Sequence, residues 1–281
     1  MGQKLVKRIT WGSFALVVAL GPFSPARAQD GGLSASRESP FNGTWRANNR
    51  SMRYQGSNHF SLLNGIWRCD TCDPKIAIKA DGHYHAINGS LYFGAPYADA
   101  ESVREVNDRS IEITDKLKGK VVARNKLTAS EDGRILTTGW SAISNNGDAN
   151  SGTFDSERIE GAPAGANKVS GEWHPIKTNT TEDEVTVTYK DTADGLAMSD
   201  PAGDSYTAKF DGNEYPFRGD PGITSVSLKK IDEYTTEETD LRNGKVVAIC
   251  HMTIERDGKM MKVTVEDKTH NAKISWTADK L

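Results

Sequence analysis

The feature that most constrains this chain is a β-hairpin sequence that occurs twice. Lys118-Gly119-Lys120-Val121-Val122 is matched by Asn243-Gly244-Lys245-Val246-Val247, at an offset of 125 residues (244 − 119). The same offset pairs other residues around the hairpin: Glu112 with Glu237, Thr114 with Thr239, Asp115 with Asp240, and Thr128 with Thr253. A match of this length predicts an internal duplication of one structural unit.

Alternating apolar and polar residues predict that the repeated unit is built from β-strands. One strand face carries Val121, Ala123, Asn125, Leu127 and Ala129 in the first copy and Val246, Ala248, Cys250, Met252 and Ile254 in the second. Asn-Gly and Asp-Gly pairs mark tight turns, and strands joined so closely must run antiparallel. We expect about eight strands per copy. The predicted fold is all-β, with two tandem antiparallel barrels; one larger barrel or sandwich made by both copies is the alternative.

A segment rich in small residues separates the two copies. Each copy opens with Gly-x-Trp, at Gly43-Thr44-Trp45 and Gly171-Glu172-Trp173. Residues 161–168 between them have the composition of a linker. We therefore assign residues 41–160 to the first copy and residues 169–281 to the second.

The N-terminus has the three-part layout of a secretory signal peptide. Basic residues precede an apolar run from Phe14 to Leu20, and Ala26-Arg27-Ala28 forms a small-x-small cleavage site. We predict a signal peptide at residues 1–28 and a disordered lead-in at residues 29–40, with no membrane span in the mature chain. The protein is expected to be exported, to the periplasm or the extracellular space.

The charge of the mature chain argues against polyanionic partners. The leader contains four basic residues, which leaves 31 basic against 38 acidic residues after cleavage. An acidic surface disfavours nucleic acid and anionic lipid. A small apolar ligand is the candidate partner, and no cofactor or protein partner is indicated.

Two resemblances add to this interpretation. Phe41-Asn42-Gly43-Thr44-Trp45-Arg46 resembles the first strand of lipocalins and fatty-acid-binding proteins, which implies lipocalin-like barrels with a cavity. Most of the mature chain is similar to a group of uncharacterised bacterial secreted proteins. That likeness rests on three segments: Cys69-Asp70-Thr71-Cys72-Asp73-Pro74, Ser205-Tyr206-Thr207-Ala208-Lys209, and Glu237-Glu238-Thr239-Asp240 with Gly244-Lys245-Val246. It brings no established activity and transfers no catalytic residue.

Cys69-Asp70-Thr71-Cys72 is the motif with the most evident chemistry. A redox Cys-x-x-Cys needs a helix N-terminus to lower the pKa of its first thiol, but strand-like segments flank this one. In an exported protein, we expect Cys69 and Cys72 to form a disulfide that shapes a turn. The alternatives are dithiol redox activity and a zinc site completed by His83 and His85, which would share a strand face.

The remaining candidates favour a binding protein over an enzyme. Cys250 is expected on an apolar face as a small hydrophobic residue, and no known catalytic motif is present. We interpret the carboxylates, including those of the Thr235–Asp240 segment, as solvated groups at strand edges and in turns. Three tryptophans, Trp45, Trp140 and Trp173, are candidate ligand contacts if the barrels are hollow; otherwise they are core residues. The leading hypothesis is a non-enzymatic binding protein, and the alternative is an envelope interaction module with packed barrels.

Overall fold

The computed structural model describes residues 38–90, 95–143, 149–180 and 186–281. Within these ranges the chain is all-β, without helices, and it forms two barrel-shaped antiparallel sheets of ten strands each. The prediction of two tandem β-barrels is confirmed. The signal peptide and most of the lead-in lie outside the described residues. No helix in the described part has the length and apolar character of a membrane span.

The first sheet is a closed barrel, and this name is kept for it below. It contains β1 (Gly43–Gln55), β12 (Thr186–Asp191), β13 (Gly195–Ser199), β14 (Ser205–Lys209), β15 (Tyr215–Arg218), β16 (Ser225–Lys230), β17 (Thr235–Arg242), β18 (Lys245–Ile254), β19 (Met260–Asp267) and β20 (Ala272–Lys280). Ten strands exceed the eight expected. Strand β15, for example, has four residues including Pro216, which is too short for alternation to be detected.

The second sheet is nearly closed, and we call it the second barrel. It contains β2 (Asn58–Leu63), β3 (Ile66–Cys69), β4 (Ile76–Lys79), β5 (Asp81–Gly89), β6 (Ala98–Asn107), β7 (Ser110–Leu117), β8 (Lys120–Ala129), β9 (Ile135–Ile143), β10 (Ala149–Glu160) and β11 (Gly171–Thr180). Strands β4 and β5 are its two ends. A single bridge between Asp73, which precedes β4, and Ser90, which follows β5, spans this gap.

The two sequence copies exchange their first strands. β1 belongs to the first copy but pairs with β12 and β20 in the closed barrel. β11 begins the second copy but pairs with β10 and β2 in the second barrel. The segment at residues 161–170 therefore connects two strands of the same sheet.

The repeated hairpin has the predicted turn in both copies. Lys118 and Gly119 have φ of 51° and 79°, and Asn243 and Gly244 have φ of 53° and 78°. Positive φ at both central positions is the geometry that joins two twisted antiparallel strands through two residues. The register of β7–β8 and of β17–β18 is thereby set by the turn.

Equivalent tryptophans close one end of each barrel. The indole nitrogen of Trp45 donates to the carbonyl oxygen of Phe41 at 2.8 Å, and that of Trp173 donates to Val169 at the same distance. A basic side chain covers each indole: Arg158 lies 4.0 Å from the Trp173 ring centroid and Lys280 lies 5.3 Å from that of Trp45. Because alternate connections of a meander lie at opposite ends, the opposite end of each barrel carries the hairpin turns described above.

Candidate functional site in the closed barrel

A row of directly paired residues crosses the interior of the closed barrel. Glu238 pairs with Cys250, Cys250 with Val265, Val265 with Ile274, and Ile274 with Tyr54. Directly opposed residues of an antiparallel sheet point to the same face. Since Val265 and Ile274 belong to the buried core, all five side chains face inward. The row places a carboxyl, a thiol and a phenol among aliphatic groups.

Two carboxyl groups of β17 lie inside this barrel. Glu238 and Asp240 are two residues apart on one strand and therefore share a face; they are 8% and 9% exposed. The interpretation of the Thr235–Asp240 carboxylates as solvated is wrong for these two residues. Glu238 is opposite Cys250 and Asp240 is opposite Ala248, on the inward face of β18.

A phenol from across the barrel hydrogen-bonds to this pair. The Tyr206 hydroxyl of β14 donates to Glu238 Oε2 at 2.5 Å. Burial raises the pKa of Glu238, and this hydrogen bond opposes part of the rise. Burial, then the charge of Glu238, raises the pKa of Asp240 well above its usual range. Two interacting carboxyls of this kind titrate together, so the charge on one of them disfavours ionisation of the other.

The groups around the carboxyls also keep their protons. Burial and the charge of Glu238 raise the pKa of Tyr189 and of Tyr206 well above the usual value. Burial, followed by the charges of Glu238 and Asp240, does the same for the pKa of the Cys250 thiol. A thiol in such surroundings is a poor nucleophile, because the thiolate is the reactive form.

Several polar atoms in this interior have no hydrogen-bond partner. They include Asp240 Oδ1 and the hydroxyl of Thr236, a residue that is fully buried on the same face of β17. An unpaired buried polar group costs free energy comparable to a lost hydrogen bond. A hydrogen-bond partner at these atoms would therefore stabilise the folded barrel.

A second polar cluster lies near the end of the closed barrel that is opposite to Trp45. His270 Nδ1 is 2.5 Å from Asp267 Oδ2, and both side chains are buried. Burial works to raise the pKa of Asp267, but hydrogen bonds and charge from His270 outweigh it and the net pKa is lowered. Burial and the charge of Asp267 raise the pKa of Tyr54 to about 12. His270 Nε2 and the Tyr54 hydroxyl have no partner.

Four inward-facing side chains of the closed barrel are only partly buried. Met198 and Phe217 pair with the inward-facing Tyr206, and Trp276 pairs with the buried Val263. These three residues and Cys250 pack against the core, yet each is only partly buried. Eight strands enclose a space that side chains can just fill, and the interior widens as strands are added. A barrel of ten strands therefore encloses a wider interior than a barrel of eight.

The second barrel also holds a buried carboxyl pair, in which Glu101 Oε1 and Asp115 Oδ1 have no hydrogen-bond partner. Glu101 is directly opposite Asp115, and they are 1% and 4% exposed. Burial raises the pKa of Asp115 to about 7. Burial, then the charge of Asp115, raises that of Glu101 well above its usual range. Asn125 Nδ2 donates to Asp115 Oδ2 at 3.3 Å, and the Trp67 indole opposes part of the rise at Glu101.

The three candidate tryptophans occupy different environments. Trp45 and Trp173 are fully buried and hydrogen-bonded at the closed ends of the two barrels. Trp140 is partly buried and pairs with Asn125, so it faces the interior of the second barrel. The structure does not bring the three together, and ligand contact by any of them stays a prediction.

Cys69 and Cys72 lie at disulfide distance in the connection between β3 and β4, with an S–S separation of 2.01 Å. His85 Nε2 is 2.9 Å from Asp81 Oδ1. Among the described residues, no three His, Cys, Asp or Glu side chains are arranged to hold a metal ion. The structure therefore does not gather Cys69, Cys72, His83 and His85 into one site.

Comparison of the chain with protein-family models, with curated proteins and with solved structures finds no match. The functional argument therefore rests on the geometry of the chain itself.

Proposed function

We propose that this chain is an exported, non-enzymatic binding protein whose closed barrel holds a small, mainly apolar ligand. The observation that carries the proposal is the partial burial of four inward-facing residues, Met198, Phe217, Cys250 and Trp276, within a continuous wall of ten strands. Small-molecule sites are concave and mostly apolar, with a few polar groups that orient the ligand. Glu238, Asp240 and Tyr206 supply such groups here.

Sequence features support the same function. The leader at residues 1–28 directs export, and the lipocalin-like opening strand is typical of barrels that carry apolar molecules. The similarity to bacterial secreted proteins is consistent with an extracytoplasmic role. The raised pKa of the Cys250 thiol removes the main candidate nucleophile and so favours binding over catalysis.

The test is uptake of Nile red, an uncharged apolar dye, by the mature protein. Fluorescence titration is expected to give saturable binding. Cys250→Phe, which places a ring in the interior space, is expected to weaken dye binding at least about tenfold, which corresponds to about 1.4 kcal/mol. His251→Phe, on the outward face beside it, is the matched control and should bind as the unsubstituted protein does. Absence of saturable dye binding, or equal binding by both variants, would contradict the proposal.

An envelope interaction module is the alternative function, and one surface feature favours it. A groove of about 610 Å³ lies outside the Trp45 end of the closed barrel, between the β16–β17 and β18–β19 connections. Asp232, Glu233 and Glu255 make the groove acidic, with Arg256 as its one basic lining residue. Crosslinking in the native envelope, followed by mapping of the crosslinked peptides to this groove, would support that role over ligand carriage.

A further inference from the structure

We propose that the groove at the Trp45 end of the closed barrel binds a lysine- or arginine-bearing segment of a partner protein, whose cationic side chain lies against Asp232 and Glu233. This inference rests on the alternative function named above, an interaction module, and gives the chemistry of its partner. It does not depend on a ligand inside the barrel. Equivalent residues at the tryptophan ends of the two barrels support it.

The same four-residue turn precedes the tryptophan strand of each barrel, at residues 39–42 and at residues 167–170. In both turns the amide of the fourth residue donates to the carbonyl oxygen of the first, at 3.0 Å and 2.9 Å. The two turns are 128 residues apart, and so are the tryptophans that follow them (173 − 45). Pro40 therefore stands at the position that Lys168 has in the second barrel.

Lys168 joins this turn to the neighbouring β6–β7 connection of the second barrel. Its backbone N–H donates to the Asp108 carbonyl oxygen at 2.8 Å, and its Nζ lies 3.2 Å from Asp108 Oδ2. Asn167 Nδ2 donates to the Asn107 carbonyl oxygen at 2.6 Å. A basic residue therefore contacts the β6–β7 connection through both its backbone and its side chain.

Pro40 cannot make either contact in the closed barrel, because proline has no backbone N–H and no side-chain donor. The corresponding connection, β16–β17, carries Asp232 and Glu233 at an offset of 125 from Asn107 and Asp108 (232 − 107). The groove of about 610 Å³ runs along this connection. The closed barrel thus has an acidic groove at the connection where the second barrel binds a lysine.

The basic side chains in and beside the groove contact other residues of its wall. The Arg256 guanidinium lies 5.5 Å from the centroid of the Tyr234 ring, and Lys262 Nζ lies 3.0 Å from Glu255 Oε1. We therefore place the cation of the partner at the β16–β17 connection rather than at the β18–β19 connection.

A lysine or arginine side chain fits the composition of the β16–β17 connection. Asp232 and Glu233 are adjacent and exposed, and Ile231, which precedes them, is 57% exposed. The apolar stem of a basic side chain packs on apolar surface while its charged head group approaches the carboxylates.

The experiment is an NMR titration of the ¹⁵N-labelled mature protein with an acetylated and amidated peptide that has the sequence of residues 161–168. Saturable chemical-shift changes are expected at the groove residues, in 232–235 and 253–256. The same peptide with Lys168→Glu is expected to bind at least about threefold more weakly, which is the size of effect that one exposed ion pair produces.

Variants of the protein test the position of the cation. Asp232→Asn/Glu233→Gln is expected to weaken peptide binding at least about threefold and to keep the fold, because Asn107 already forms the equivalent turn. Asp257→Asn, in the neighbouring exposed turn, is the matched control and should bind as the unsubstituted protein does. Pro40→Lys supplies a cation within the chain and is expected to weaken peptide binding, whereas Pro40→Ala is not.

Absence of peptide binding, equal binding of the lysine and glutamate peptides, or shifts outside the groove would overturn the inference. Unchanged binding by Asp232→Asn/Glu233→Gln would also overturn it. Crosslinks that map to this groove in the native envelope would in that case still support an interaction module, so the two failures are distinguishable. Nile red uptake tests the ligand function separately.

Discussion

Equivalent aspartates, Asp115 and Asp240, lie inside both barrels but have different partners. Asp115 is opposite Glu101, whereas the residue opposite Asp240 is Val226. The second copy instead carries Glu238, at the position of Ile113 in the first copy. Each copy therefore keeps two inward carboxyls but places the second one on a different strand. At the residue scale, the two pairs therefore differ in their hydrogen-bond donors: Asn125 donates to Asp115, and Tyr206 donates to Glu238.

The Glu101–Asp115 pair makes stability depend on pH. In the unfolded chain both carboxyls ionise near pH ~4, whereas in the folded chain the pKa of Asp115 is about 7 and that of Glu101 is raised well above its usual value. Between these values the folded state holds more protons, so the free energy of unfolding falls as pH rises through this range.

We expect the Glu101→Gln/Asp115→Asn variant to gain stability relative to the unsubstituted protein as pH rises from about 4 to about 8, by on the order of 3 kcal/mol. Urea denaturation across this range measures the change. Glu131→Gln, in an exposed turn, is the control and should follow the unsubstituted protein at each pH. If the difference in unfolding free energy between the variant and the unsubstituted protein does not change with pH, the two carboxyls have the same pKa values in the folded and unfolded chain, which would contradict the prediction.

At the scale of elements, bulges determine which residues of the repeated hairpin face inward. Asp115 pairs with Ala123 and Lys116 with Val121, so Val122 is an extra residue; Val247 is the extra residue in the second copy. The predicted inward face is confirmed from Ala123 to Ala129, but Val246 is exposed. Strict alternation could not show this, because an extra residue reverses the face on one side of the bulge.

Close packing at Gly89 holds the Cys69–Cys72 connection against β5, at the gap in the second barrel. A Cβ atom at Gly89 would lie 2.1 Å from the Asp73 carbonyl oxygen. Gly89→Ala is expected to destabilise the protein by about 2 kcal/mol, because backbone must move. Gly139→Ala on β9, where a Cβ would contact nothing within 4 Å, is the control. The midpoints of urea denaturation of the two variants measure this difference. Equal midpoints would show that the close contact between Gly89 and Asp73 does not contribute to stability.

At the scale of the whole molecule, the strand exchange makes the two barrels depend on each other. Each barrel takes one strand from the other sequence copy. The barrels also touch through an ion pair between Arg242, at the end of β17, and Asp73, in the β3–β4 connection. Each barrel includes one strand from the other sequence copy, so neither copy contains all ten strands of a barrel. Sheet hydrogen bonds therefore connect the two copies.

Cleavage between the copies should therefore not separate them. We expect a protein with a protease site inserted at residues 161–167 to remain one complex after cutting, with both fragments eluting together in size-exclusion chromatography under native conditions. Denaturant should be needed to part them. Two folded fragments that elute separately would contradict the exchanged strand order.

The sequence could predict the fold class but not this exchange. Duplication, turn chemistry and period-two alternation are local signals, and they indicated two antiparallel barrels. Pairing between strands that are far apart in the sequence leaves no local pattern. The sequence therefore places Trp45 and Trp173 on the opening strands of the two copies, but it does not show which barrel each of these strands completes. The buried carboxyls were missed for a similar reason. Glu238 and Asp240 look like surface acids along β17, and only their pairing with the inward face of β18 indicates burial.

Native mass spectrometry of the mature protein, purified without detergent from the cells that produce it, tests the central claim most directly. The account predicts one extra mass per chain that is lost on denaturation and corresponds to a small, mainly apolar molecule. Its loss from the Cys250→Phe variant, and not from His251→Phe, would assign it to the closed barrel. A bare chain under the gentlest conditions, together with no saturable uptake of Nile red, would contradict the claim that the closed barrel is a ligand site.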